Sequence, residues 1–380
     1  MDHISSKFTE LYGKSPKMFR SPGRVNLIGE HTDYNEGFVL PAAINKEMVF
    51  AIAPNGLDKC RVYAADLNES EEFLLADLKA SDKGWCNYLI GVVAQFQKKD
   101  IQVAAFDLVF GGNIPIGAGV SSSAALECGL GFALNELNGT GLDKLELVKM
   151  AQKAEHEWAG VQCGIMDQFA SMFGKDNSVI RLDCRSLEKA YFPLNIEGYK
   201  ILLLDTGVKH SLASSAYNTR REECEAGVAF FAKSNPEIKS LRNVTVEMLD
   251  EAKGKMDATV YTRSRYVVEE NNRVLAACEA LEKGDLAKFG EQMYGSHNGL
   301  SKEYEVSCPE LDFLVEQTKD KDFVLGSRMM GGGFGGCTIN IIKEEAIDAF
   351  VSETAKIYHA ETGIELKAYV ADIVDGSSVL

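Results

Sequence analysis

The chain has 380 residues, enough for two domains that each bury a core of their own. Hydrophobic residues make up 46% and charged residues 25%, the composition of an ordinary globular protein, and a formal net charge of −16 excludes the broad basic face that nucleic-acid binding needs. No run approaches the ~18 apolar residues of a membrane span, and the opening MDHISSKFTELYGK has no apolar core of signal type, so a cytoplasmic protein without a membrane partner is expected.

From Met18 to Leu75, short β-like runs (Met48 to Ala53, Arg61 to Ala65) alternate with Pro, Gly, Asn and Asp breaks. Within this stretch Ser21 to Asn35, SPGRVNLIGEHTDYN, concentrates Arg, Glu, His and Asp/Asn groups on a turn-prone segment. Such a segment is a poor core and a good lining for a pocket that binds a polyhydroxylated ligand. Asn87 to Lys98 reads as an amphipathic helix, Ala104 to Phe110 as a strand, Gly111 to Gly119 as a loop and Ser121 to about Leu137 as a helix. Leu142 to Ala159 predicts another helix with Asp143 as N-cap, and strands return at Val179 to Leu182 and Lys200 to Asp205.

The second half predicts helices at Tyr217 to Ala232, Thr259 to Lys283 and Asp285 to Met293. Two β-like runs, Leu325 to Met330 and Cys337 to Ile342, then flank a glycine cluster. A helix (Glu344 to Tyr358) and a strand (Glu365 to Val370) end the pattern. Intermixed helices and strands predict an α+β fold, with a domain break near Gly198 that separates residues 1–197 from 198–380. The nine cysteines, from Cys60 to Cys337, contain no C-x-x-C pair and predict reduced thiols without a zinc site. Asn68, Asn138 and Asn243 fit a glycosylation pattern that has no meaning in an unsecreted chain.

Asn113 to Glu127 runs from a strand end into a helix start. Gly117 and Gly119 allow positive φ and close ligand approach, the helix offers free N–H groups to an anion, and Ser121, Ser122 and Ser123 add hydroxyls for phosphate or Mg²⁺. The same pattern describes a plain strand-to-helix loop with a Ser N-cap. It is not a Walker A loop, because no Gly-Lys-Ser/Thr follows. The cluster Gly331 to Gly336 satisfies G-x-G-x-x-G, but a strand and not a helix follows it, so the dinucleotide reading fails. What remains is a tight hairpin that brings backbone close to something. Read alone, Asp167 is a first-turn helix acid, Glu155 part of a solvated helix face, His31 a loop hydrogen-bonder and Tyr217 a helix cap. His3, His210, His297 and His359 have no assigned role.

Three segments in order, PGRVNLIGEHTDYN (Pro22 to Asn35), GAGVSSSA (Gly117 to Ala124) and MMGGGFGGC (Met329 to Cys337), resemble the signature motifs of the GHMP kinases. The first is similar to that of the galactokinase branch, as are Gly164 to Gln168 and Tyr217 to Glu222. The resemblance implies a two-domain GHMP kinase fold with its active site in the interdomain cleft, and ATP-dependent phosphorylation of the anomeric hydroxyl of α-D-galactose. It implies Asp167 as the catalytic acid–base group with Arg24 as its cationic partner. Glu30, His31, Thr32, Asp33, Gly164, Asp167 and Tyr217 would bind the sugar. Gly117, Ala118, Gly119, Val120, Ser121, Ser122 and Ser123 would cradle the ATP phosphates, and Ser123 with Glu155 would hold Mg²⁺. Val120 stands where the family loop usually has Leu. Trp85 is a candidate for the aromatic adenine pocket. A kinase for N-acetylgalactosamine or arabinose is the same-fold alternative, and a non-catalytic galactose/ATP sensor the alternative of another class. The implied partners are small molecules, and a monomer is favoured.

Overall fold

The computed structural model describes residues 2–115, 117–209 and 213–380; Ile116 of the phosphate loop and His210 lie outside them. Helix α1 (Asp2–Tyr12) leads into β1 (Lys17–Asn26), β2 (Phe38–Val39), β3 (Pro41–Pro54), β4 (Lys59–Ala64) and β5 (Glu69–Leu74). Then come α2 (Gly84–Lys98), β6 (Phe106–Gly112), α3 (Ser122–Asn138), α4 (Lys144–Ala154) and α5 (Met166–Phe173). Strands β7 (Ser178–Asp183), β8 (Lys189–Pro193) and β9 (Tyr199–Lys209) precede α6 (Ala213–Ala232), α7 (Val246–Ala252), α8 (Ala258–Lys283) and α9 (Leu286–Asn298). The chain ends with α10 (Pro309–Glu316), β10 (Val324–Met329), β11 (Gly335–Lys343), α11 (Ile347–Thr362), β12 (Lys367–Ala371) and β13 (Ser378–Val379).

A six-stranded sheet has the order β13-β1-β3-β6-β4-β5, with β4 and β6 parallel and the other pairs antiparallel. Helices α2 to α5 cover one face and bury Phe50, Leu89, Phe96, Leu126, Leu134 and Phe169 in one core. Antiparallel β10-β11-β9-β12 form a second sheet, and β2-β7-β8 a small third one. The last residues return to the first sheet: Ile373 bridges Ile44, and Val379 pairs with Phe19. Asp143 and Asp285 cap α4 and α9 by accepting from Glu146 N and Lys288 N, the use expected of short acidic side chains ahead of a helix.

Two local expectations need correction. Ser21 to Asn26 is not loop but the inner half of β1, and every residue from Ser21 to Thr32 is buried. Polar side chains can be buried here because partners from distant segments satisfy them. Ser21 Oγ, for instance, lies 3.0 Å from Ser171 Oγ and 2.9 Å from Ser377 Oγ. The helix read through Leu142 to Ala159 stops being α-helical at Ala154; Glu155–Ala159 form a π-type turn that Gly160 ends at φ 74°. Such a turn displaces a side chain from the regular helical face, and here it carries Glu155.

Candidate active site

The end of β1 delivers Arg24 to the first turn of α5, where Asp167 sits. Arg24 Nε donates to Asp167 Oδ1 and Arg24 Nη2 to Oδ2, both at 2.7 Å, a bidentate fork that fixes both planes. Arg24 Nη1 donates to the Gly119 carbonyl at 2.5 Å, and Ser121 Oγ donates to Asp167 Oδ2 at 2.5 Å. Thus one carboxylate is gripped from the sheet and from the Ser-rich loop. Ser121 is in the left-handed region at φ 61° and makes no side-chain cap bond to α3. Its hydroxyl serves Asp167 instead of the helix, so the N-cap reading fails.

Arg24 and Asp167 line a cavity of about 260 Å³ together with Glu30, His31, Asp33, Glu155, Gly164, Tyr217, Gly331 and Gly332. Glu30 Oε1 accepts from Gly331 N at 2.8 Å and from Arg328 Nη2 at 2.9 Å. Arg328 is fully buried and also donates to the carbonyls of Asn26, Leu27 and Met329. It therefore ties the glycine turn to the end of β1. Sequence reading missed Arg328, although a lone charge in the otherwise apolar Val324–Met329 strand is a signal, since a buried charge needs a built partner.

His31 Nδ1 lies 2.7 Å from Tyr34 Oη, and burial pulls the imidazole pKa down to about 3. Burial, followed by the nearby charge of Asp167, pushes Asp33 up to about 7. Gly164 must be glycine, because a Cβ there would collide with the Asp33 carboxylate. The Tyr217 ring packs 5.3 Å from His31 and 5.4 Å from Tyr34. Thr32 does not join this lining. It is fully buried, and its Oγ1 donates to the Gly29 carbonyl at 2.9 Å and the Phe38 carbonyl at 2.6 Å, so it shapes the loop.

Gly117 and Gly119 have φ of 81° and 74°, which only glycine adopts at little cost, and they lead into α3. The side chains of Ala118 and Val120 point into the core, leaving only their backbone for a ligand. Ser122 and Ser123 line a second cavity of about 240 Å³ with Trp85, Tyr88, Phe110 and Leu126. Trp85 Nε1 donates to Glu69 Oε2 at 2.7 Å.

Between the two cavities Glu155 is buried and hydrogen-bonded to Ser123. Gln168 Nε2 donates to Glu155 Oε2 at 2.7 Å and to Glu127 Oε2 at 3.2 Å. Burial first and the Asp167 charge second raise the Glu155 pKa; burial and then Glu155 hold Glu127 well above the carboxylate range. Among the described residues neither has a salt-bridge partner, and Glu127 Oε1 has no hydrogen-bond partner. Glu127 and Gln168 were not foreseen; each lies inside an apolar helical run, where nothing local marks its role.

A carboxylate–guanidinium pair and a glycine hairpin around one cavity, with an anion-ready loop at a helix start bonded to that pair and lining the next cavity, are the equipment of a small-molecule kinase. The family models for the GHMP kinases N terminal domain and the GHMP kinases C terminal match residues 87–175 and 277–359, and the galactokinase galactose-binding signature matches residues 6–54. This places the fold among the GHMP kinases. Galactokinase of Thermotoga maritima is 43% identical over 357 residues, 94% of this chain and 98% of that protein. That of Clostridium beijerinckii is 42% identical over 98% of this chain and 97% of its own. The structure of Lactococcus lactis galactokinase complexed with galactose superposes with a TM-score of 0.95 at 36% identity, covering 100% and 99% of the two chains. Methanococcus jannaschii mevalonate kinase shares the fold at 19% identity and a TM-score of 0.68 over 95% of this chain and 99% of its own. The chain belongs to the galactokinase family.

Proposed function

We propose that the protein transfers the γ-phosphoryl group of ATP to the anomeric hydroxyl of α-D-galactose, with Asp167 taking the hydroxyl proton. The observation that carries this reading is the Arg24–Asp167 fork inside a cavity rimmed by Glu30, His31 and Asp33. A sugar hydroxyl is a weak nucleophile, and a carboxylate placed to accept its proton raises its reactivity. Arg24 pairs with both oxygens of that carboxylate and offsets charge that builds on the transferred group. Ser121 orients the same carboxylate through its 2.5 Å bond. Glu30, Asp33, His31 and Tyr217 supply acceptors and donors for the remaining hydroxyls.

On this reading the backbone of Gly117 to Ser123 and the start of α3 hold the phosphates, and the aromatic cavity of Trp85 and Tyr88 beside Ser122 and Ser123 holds the adenine. The buried Glu155–Glu127 pair, without any cationic partner among the described residues, fits a divalent ion held by Glu155 and Ser123. Mg²⁺ there would neutralise phosphate oxygens as charge moves between them. No three His, Cys, Asp or Glu side chains among the described residues form a ready cage. That suits an ion that takes its other oxygens from phosphate and water. Residues 1–197 and 198–380 would be the two halves that supply the substrate sites, the second returning its last strand to the sheet of the first, in a cytoplasmic enzyme; no helix among the described residues is long and apolar enough to cross a membrane.

A coupled ADP-release assay across galactose, N-acetylgalactosamine, arabinose, glucose and mevalonate tests this. Turnover is expected with galactose far above the others. Preference for another sugar, or tight binding of galactose and ATP without ADP release, would overturn it.

A further inference from the structure

Beyond the sugar cavity, Tyr34 and Asn35, beside His31 in the chain, and Cys224 and Tyr304, far from it, close a ring of hydrogen bonds on His31. Asn35 Nδ2 donates to the His31 carbonyl at 2.9 Å and approaches Cys224 Sγ at 3.6 Å. Cys224 Sγ is 3.1 Å from Tyr304 Oη, Tyr304 Oη is 2.8 Å from Tyr34 Oη, and Tyr34 Oη is 2.7 Å from His31 Nδ1. The path leaves His31 at its backbone and returns at its ring. Asn35, Cys224, Tyr304 and His31 are all buried, so the groups must satisfy one another. His31 itself is held at φ 62°, a left-handed conformation that surrounding structure has to enforce.

Chemistry fixes the direction at Asn35, and the rest of the ring follows when the thiol gives its proton to Tyr304. A carbonyl can only accept, so the Asn35 group facing His31 O is its NH₂, which is also a donor to the sulfur. A thiol that receives an N–H keeps its own S–H to give, and Tyr304 Oη is its oxygen neighbour. Tyr304 then donates to Tyr34, and Tyr34 donates to His31 Nδ1. Asn35 gives twice, Cys224, Tyr304 and Tyr34 each give once and accept once, and His31 accepts at both its carbonyl and Nδ1. Nδ1 is thereby an acceptor, and a neutral imidazole whose Nδ1 accepts carries its proton on Nε2. Burial, which holds the imidazole pKa at about 3, keeps the ring neutral. Nε2 makes no hydrogen bond of full geometry among the described residues, the Gly332 backbone being the acceptor beside the ring, and His31 lines the cavity.

We propose that Asn35, Cys224, Tyr304 and Tyr34 form a hydrogen-bonded ring whose donations start at the Asn35 amide and end on His31, fixing His31 as its Nε2–H tautomer and making it a donor to a substrate hydroxyl. This rests on reading the cavity as the sugar site. The consequence is selectivity for hydroxyl geometry. Glu30, Asp33 and Asp167 crowd the cavity with acceptors, so a hydroxyl that gives its proton to one of them needs a donor at its lone pair. The ring provides that donor without a formal charge. Run in reverse, it would turn Nε2 into one more acceptor among three carboxyl groups. Cys224, Tyr304 and Asn35 act here as positioning residues, none of them lining the cavity.

Long-range ¹H–¹⁵N spectra of the full-length protein labelled in histidine decide the tautomer, with His31 assigned through His31→Asn. The wild type is expected to have the proton on Nε2. Tyr304→Phe and Cys224→Ala should lose the single tautomer and raise the galactose KM about 3- to 10-fold, with kcat and the KM for ATP held. Cys224→Ser keeps one donor and one acceptor and should restore both readouts. A proton on Nδ1 in a wild type that binds galactose overturns the ring. So does an unchanged tautomer and KM in both ring-breaking variants. If either variant fails to fold, the wild-type spectrum and Cys224→Ser still decide. An Nε2–H signal that saturating galactose leaves unmoved overturns instead the reading of the cavity as a sugar site.

Discussion

Asp167 and Glu155 face the same cavity from positions 12 residues apart, yet the structure treats their charges in opposite ways. Asp167 has a guanidinium on both oxygens at 2.7 Å and a serine hydroxyl besides. Glu155 has an amide, a thiol, a hydroxyl and a second buried carboxyl, Glu127, with no cation among the described residues. The first carboxylate is compensated by the chain itself and is ready to act. The second is left short of positive charge, which a bound ion would supply. One site can thus hold a base whose charge the chain itself pairs and a ligand whose charge is paired only with cargo.

The largest expected effect tests the compensated carboxylate. Asp167→Asn keeps the shape and one acceptor oxygen but cannot take a proton, and losing a general base costs ~10²–10⁴ in rate. Turnover should fall by that factor while galactose affinity, measured without turnover, stays within about tenfold. A variant with nearly wild-type kcat would remove Asp167 from the chemistry and end the contrast with Glu155.

The uncompensated carboxylate predicts a divergence between activity and stability. Glu155→Gln removes a charge that burial and Asp167 disfavour. The protein without nucleotide and metal should melt a few degrees higher, since relieving about 1 kcal/mol shifts the melting temperature by roughly 2–4 °C in domains of this size. Activity should drop and recover in part at high Mg²⁺. A variant that melts lower and is not helped by Mg²⁺ would make Glu155 a structural residue.

Much of this site could be read along the chain because its parts are local. The glycines of the two loops, the serines after Gly119 and the helix caps at Asp143 and Asp285 announce themselves through short-range turn and cap chemistry. What could not be read depends on partners far away. Ser21 to Asn26 reads as loop because its polar groups find partners far along the chain, Ser21 at Ser171 and Ser377, 150 and 356 residues on, and Arg24 at Asp167, 143 residues on. Arg328 meets Glu30 across 298 residues. The π-type turn at Glu155 continues an unbroken helical pattern, so nothing in its periodicity marks the register change. The resemblance implies Thr32 as a sugar ligand together with His31 and Asp33, but neighbours along a turn point in different directions, and Thr32 turns to the Gly29 and Phe38 carbonyls.

A smaller effect separates binding from fold at Asp33. Its carboxyl lies against Gly164 at the cavity wall, and Asp33→Ala would leave one sugar hydroxyl without a partner. A buried polar group left unsatisfied costs about 1–3 kcal/mol, so the galactose KM should rise about 5- to 150-fold with the KM for ATP nearly unchanged. Equal damage to both substrates would mean that Asp33 supports the loop and not the sugar.

A last test asks to which of the two electrostatic regimes Asp33 belongs. Its pKa stands at about 7 against an ordinary 3.8, through burial first and the Asp167 charge second. A carboxyl raised in this way binds its proton more tightly in the folded chain than in the unfolded one. Its contribution to stability is fully present below about pH 3.8 and is lost as pH rises through about 7. Asp33→Asn is neutral throughout and serves as the reference. The melting temperature of the wild type relative to this variant should therefore fall across that window, in the absence of ligands, and level off above it. That outcome would put Asp33 beside Glu155, as a group whose charge the fold leaves uncompensated. A difference that stays flat, or rises with pH, would mean that Asp33 is already ionised and held by the fold in the manner of Asp167.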